Sequence, residues 1–193
     1  MKKGRIEAFS DGVIAIIITI MVLELKVPHT SDFASLFHLW PIFLSYVLSF
    51  IYIGIYWNNH HHMFMVVNKI NGSVLWANLH LLFWLSMIPF ATAWMGENHF
   101  ASLPTALYGF VLLMNGIAYT ILTISLVKHH GYESILAKAV GSDFKGKISC
   151  LCYIVAIPCA FLHVWISAAI YIAVALIWLV PDKRIERVIT EES

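Results

Sequence analysis

Residues 5–12 read Arg5-Ile6-Glu7-Ala8-Phe9-Ser10-Asp11-Gly12, and from Val13 to Leu23 the chain is apolar except for Thr19. Whether that run belongs to a soluble core or to a membrane decides the fold, and the rest of the sequence answers. Of 193 residues, 60% are hydrophobic and only 12% charged, with a mean hydropathy of +0.80. A soluble domain carries roughly 25% charge and about 45–50% apolar residues. Here bulky aromatic side chains replace the charge, with 12 Phe, 8 Tyr and 7 Trp. That composition excludes a soluble enzyme, a disordered regulator and a nucleic-acid binder. The net charge of +1 leaves no electrostatic footprint for an acidic partner. The chain reads as an all-α integral membrane protein.

Working outward from the first run, a helix needs about 20 mostly apolar residues to cross the hydrocarbon core. Six such stretches can be read, roughly 8–25, 39–66, 72–95, 104–127, 146–162 and 164–180. The last two are nearly continuous, and Leu162-His163-Val164 is a weak break. The basic residues arbitrate. With six spans, eleven of the twelve Lys and Arg residues fall on the side of the N-terminus, and only Lys26 lies opposite. By the positive-inside rule both termini are then cytoplasmic, in a multi-pass protein of the plasma membrane. Glu7, Asp11 and the lack of a small-residue cleavage site argue against reading the first run as a signal peptide. The longest non-spanning stretch, about 128–145, leaves no room for a second domain, so residues 1–193 are expected to form one transmembrane unit. Cys150, Cys152 and Cys159 share one apolar segment, which argues against a disulfide framework.

An aspartate at the start of a membrane helix is costly unless it is paired or faces water. Asp11 with Ser10 can act as an interfacial cap, since an acid near a helix N-terminus favours the macrodipole. At about 100° per residue, Ile16, Thr19, Ile20 and Leu23 form one stripe, and Asp11 lies well off it. Asp11 is therefore expected to face neighbouring helices, with Arg5, Asn78 or a histidine as partner. The stripe alone is compatible with ordinary helix packing.

Arg5-x-x-x-Phe9-Ser10-Asp11, followed by Gly12 and a β-branched run, resembles the R-x-x-x-F-S-D signature of the lysosomal potassium channel family, also called transmembrane protein family 175. Trp57 with His60, His61 and His62, then Asn78-Leu79 and Pro89-Phe90, are similar to that family's second and third helices. The resemblance implies a potassium-selective cation channel, a homotetramer of six-helix subunits around a central pore lined by helix one. It implies that Ile16, five residues after the motif aspartate, forms an apolar constriction, with Ile20 and Leu23 farther along the same gate. It implies that Thr19 contributes to cation selectivity, and that Arg5, Phe9, Ser10 and Asp11 serve helix packing. The T-V-G-Y-G filter of ordinary potassium channels is absent. An apolar ring can gate by dewetting, and threonine hydroxyls can partly replace the water of a permeating monovalent cation. Membrane lipid and K+ are the implied partners, with no cofactor.

Other residues leave alternatives open. His60-His61-His62 point in different helical directions and lack the i, i+4 spacing of a zinc helix, so interfacial hydrogen bonding outweighs pH sensing or metal binding. His80 and His163 could ligate haem or metal, but a buried polar contact with Asn78 is the simpler role for His80. Glu24 and Lys26 end the first helix and could charge an outer vestibule. Pro41, Pro89 and Pro158 could kink helices. A proton-coupled or ion secondary transporter using Asp11 and the histidines is the alternative function, although repeats and broken midplane helices, usual in carriers, are not evident. No catalytic motif is present, so an enzyme is not expected.

Overall fold

The computed structural model describes residues 3–141 and 143–179, and its regular structure is helical throughout. The helices are α1 (Gly4–Leu23), α2 (Phe33–His38), α3 (Trp40–Met65), α4 (Gly72–Ser86), α5 (Ile88–Glu97), α6 (Ser102–His130), α7 (Ile135–Val140), α8 (Phe144–Leu162) and α9 (Val164–Leu179). Their starts are chemically marked. Asp32, Asn71, Ser134 and Asp143 each turn a side-chain oxygen onto a free backbone N–H of the helix that follows. Pro41 begins α3, where its missing N–H costs nothing, and does not kink it.

Among the described residues, five stretches have the length and apolarity of a membrane span: α1, α3, α4 with α5, α6 and α8. The sixth expected stretch, 164–180, corresponds to α9, whose 16 described residues are shorter. The third span is broken at Met87, two residues before Pro89. A proline ring clashes with the carbonyl four residues back and frees it. Asn115 of α6 meets the break, donating from Nδ2 to the Trp84 carbonyl at 3.1 Å. The carbonyl so freed is that of Leu85; the Trp84 carbonyl beside it also accepts from the Met87 N–H at 3.2 Å, so Asn115 adds a cross-helix bond at the break.

The weak break at Leu162-His163-Val164 is a reversal. His163 is extended (φ −158°, ψ 109°), and α9 runs back along α8. Ser167 donates to the Ala156 carbonyl at 2.6 Å, and the Trp178 indole N–H to Ser149 Oγ at 2.9 Å. Pro158, inside α8, does not end it.

Cross-links at the two ends give the bundle its polarity. At the end that holds Lys3, its ammonium donates to the Phe64 carbonyl at 3.1 Å. There too Asn71 of the α3–α4 loop meets His129 of α6 at 3.1 Å. At the opposite end Lys26 pairs with Glu97 at 2.6 Å, and that carboxylate holds the ammonium pKa above its ordinary value. The same end carries the rings of Phe100 and Trp165, each stacked on Trp40, as an aromatic belt would. Seven of the eight described Lys and Arg residues belong to the Lys3 end, Lys26 being the exception. Lys2, Lys183, Arg184 and Arg187 lie outside the described residues.

Between the ends, α3, α6, α8 and α9 meet around tyrosines. Tyr52 donates to the Tyr171 carbonyl at 2.6 Å, Tyr153 to Tyr52 at 3.3 Å and Tyr171 to the Thr105 carbonyl at 3.1 Å. Gly109 is required here, because a Cβ would overlap the Tyr171 hydroxyl. Gly96 of α5 lies against the backbone of α3, where a Cβ would sit 2.8 Å from Ile42 Cα. Such small residues let membrane helices approach closely.

Candidate functional site

α1 packs against α3, α4 and α5, and its residues sort cleanly by face. Ile6, Ser10, Ile14, Ile17 and Met21 are buried. Their spacing of 4, 4, 3 and 4 draws one apolar seam with a single hydroxyl. Roughly 120° around the helix lies a second seam that the chain does not cover. On it Ile16 is 59% exposed, Ile20 43% and Leu23 79%, with Thr19 exposed beside them. The sequence-derived stripe thus lies on the uncovered side of α1, which also holds Ala8, Asp11, Ala15 and Val22.

Phe9 falls on the same seam two turns before Ile16 and is 54% exposed. Its covered part borders a cavity that it lines with Leu75, Asn78 and Leu79 of α4. Its position every three to four residues from Gly12 and Ile16 sets it on the open side. Arg5 is exposed as well.

The Thr19 hydroxyl donates into its own helix, to the Ile16 carbonyl at 2.8 Å and the Ala15 carbonyl at 3.2 Å. With its proton spent on the backbone, that oxygen offers only lone pairs to a neighbour. An oxygen so fixed is suited to a cation and unsuited to an anion.

Ser10 anchors the covered side, and Asp11, itself exposed, ties α1 to α3. Asn78 donates from Nδ2 to Ser10 Oγ at 3.0 Å, and its Oδ1 meets His60 Nε2 at 2.8 Å. All three residues are buried, so one polar chain ties α1, α4 and α3. His60 also stacks on Phe64 at 4.5 Å between centroids. Asp11 takes a partner the sequence reading did not name: the Trp57 indole N–H donates to its Oδ1 at 3.0 Å. Asn78, offered as a possible partner for Asp11, pairs instead with the neighbouring serine. Trp57 in turn stacks on His61 at 5.9 Å. The missed signal was an aromatic N–H donor near the end of α3, facing an acid it could satisfy without a second charge.

The remaining polar candidates lie elsewhere. His80, expected beside Asn78, accepts from the Trp84 indole at 3.0 Å within its own helix. His163 forms the α8–α9 turn, so these two histidines stand on separate elements. Among the described residues no three of His, Cys, Asp and Glu converge as a metal site.

The chain is similar to known proteins over most of its length. A family described as endosomal/lysosomal potassium channel TMEM175 matches residues 5–89, which hold nearly all of α1, the polar chain and the break in the third span. A potassium channel of Chryseobacterium sp. (strain P1-3) is 58% identical over 99% of this chain and 100% of its own length. The crystal structure of a lysosomal potassium-selective channel TMEM175 homolog from Chamaesiphon minutus superposes with a TM-score of 0.82. It is 31% identical, over 93% of this chain and 97% of that one. The endosomal/lysosomal proton channel TMEM175 of Homo sapiens is 34% identical over 47% of this chain, which spans 20% of that longer protein.

Proposed function

Because the chain belongs to the TMEM175 potassium channel family, we propose that it conducts potassium selectively across the plasma membrane, along the uncovered face of α1. The observation that carries this reading is the separation of two seams on one helix. The buried seam holds α1 to its own subunit, and the open seam presents Phe9, Ile16, Ile20 and Leu23 with one hydroxyl, Thr19. One helix cannot enclose a path, so the open seam needs copies of itself. Four subunits of six spans, as the family resemblance implies, set four such seams around an axis.

In that assembly the Ile16 ring is the constriction. Apolar side chains at close quarters hold no ordered water, and a narrow ring dewets unless it widens. Thr19 lies about 4.5 Å farther along the helix, with its proton already donated to the Ile16 carbonyl. Four such oxygens give a cation partial compensation for water lost at the ring. Sodium holds its hydration more tightly than potassium, so weak coordination beside an apolar ring penalises sodium more. The excess of basic residues at the Lys3 end supports cytoplasmic termini.

Recording from the purified protein in liposomes tests the function. Unitary currents that reverse near the potassium equilibrium potential are expected. Transport without resolvable unitary events, at the turnover of a carrier, would overturn the reading in favour of a secondary transporter.

A further inference from the structure

A cleft of about 770 Å³ opens between α6, α7 and α8, on elements that take no part in the α1 seams. Its two long walls read alike from the Lys3 end towards the middle of the bundle. On α6 the series is Lys128, Ile124, Ile121 and Ile117; on α8 it is Lys147, Leu151 and Ile154. Spacings of three and four keep each series on one helix face. The apolar members are 36–60% exposed. From lysine to last aliphatic, the walls run roughly 16 Å on α6 and 10 Å on α8, against about 15 Å for half the hydrocarbon core. The cleft therefore has the depth of one lipid leaflet and carries its cations at headgroup level.

The mouth is furnished for an anion. Among the described residues neither the Lys128 nor the Lys147 ammonium has a hydrogen-bond or ion-pair partner. Tyr132, 74% exposed, lies on the same rim. Asp143 also lines the mouth, but its Oδ1 accepts from the Gly146 N–H at 3.2 Å as the cap of α8. A free phosphate would use the lysines and leave the aliphatic walls without an occupant. α8 packs on α6 and α9, whereas α1 packs on α3, α4 and α5. If α1 faces the axis, as proposed above, the cleft opens towards lipid.

We propose that this cleft binds an anionic phospholipid of the cytoplasmic leaflet, its phosphate between Lys128 and Lys147 and one acyl chain along Ile121, Ile124, Leu151 and Ile154. Basic pockets between helices on the cytoplasmic side suit such headgroups.

Native mass spectrometry of the purified protein in detergent tests it, titrating palmitoyl-oleoyl phosphatidylglycerol against the phosphatidylcholine of the same chains. Wild type is expected to retain the glycerol lipid in preference. Each lysine near a headgroup is worth about five-fold in affinity, so Lys128→Gln with Lys147→Gln should weaken phosphatidylglycerol binding about thirty-fold, and phosphatidylcholine, whose choline offsets its phosphate charge, by much less. Ile121→Trp, which fills the cleft below the headgroup, should weaken both lipids. Equal retention of the two lipids by wild type, or a preference that survives the double substitution, would overturn the proposal. So would displacement of the lipid by millimolar inorganic phosphate. Loss of the oligomer in the same spectra on either change would assign the cleft to a second copy of the chain instead. Potassium flux measured in parallel separates the two readings, because absent flux with intact lipid preference counts against the pore alone.

Discussion

Ile16 and Thr19 stand one turn apart on the open seam of α1, and each makes a separable prediction. Ile16→Asn replaces an apolar ring with one that water wets. If the ring contributes even about 1.4 kcal/mol of barrier, conductance should rise about tenfold. Discrimination between potassium and sodium should fall, moving the bi-ionic reversal potential towards zero. Thr19→Val keeps the shape and removes the oxygen, so selectivity should fall with little change in conductance. Wild-type reversal potential and conductance in both variants would remove α1 from the conduction path. Asp11→Asn preserves an acceptor for the Trp57 indole but not its charge, and charged hydrogen bonds are roughly twice as strong as neutral ones. A loss of about 1 kcal/mol of stability is expected, read as a lower melting temperature, with selectivity unchanged. Altered selectivity in a fully assembled variant would contradict this assignment. At this scale the sequence was informative about position and poor about partners. The stripe follows from helical spacing alone. That Trp57 meets Asp11, 46 residues away, depends on the pairing of α1 with α3, which no local pattern encodes.

Polar contacts between the described elements lie at their crossings. Asn78→Leu would leave both Ser10 and His60 without a partner where water is scarce. Hydrogen bonds between membrane helices are worth about 0.6–2 kcal/mol, so a loss of about 2 kcal/mol is expected in denaturant unfolding of the reconstituted protein. His60→Leu added to Asn78→Leu should cost less than the sum of the two single changes, because an apolar pair orphans fewer groups. A fully additive pair would mean that the two do not form one network. Gly96→Val would drive a side chain into the α3 backbone at Ile42. It should separate α5 from α3 and reduce the recovery of folded protein on size-exclusion chromatography. The prolines were visible in the sequence, but their effects were not. Pro41 opens a helix, Pro158 sits inside one, and Pro89 follows a break. The break at Pro89 is tied by Asn115, a side chain on another helix that donates to the Trp84 carbonyl beside it.

For the molecule as a whole, composition and the placement of twelve cations carried most of what was legible. Hydropathy finds long apolar helices well because the bilayer imposes a length on them. It says little about α2 and α7, six residues each, which lie between spans and answer to no such rule. A C-terminal reporter fusion should be active only in the cytoplasm, and activity on the outer side would overturn the even span count. The α8–α9 hairpin has one further consequence, for biogenesis. With His163 as the whole connection, there is no polar tether that could wait on the far side while the second helix is still being made. Insertion of α8 and α9 as a single hairpin is the expected outcome, and a ribosome that stalls between them leaves α8 without the mate that covers its Ala156 carbonyl and Ser149 hydroxyl.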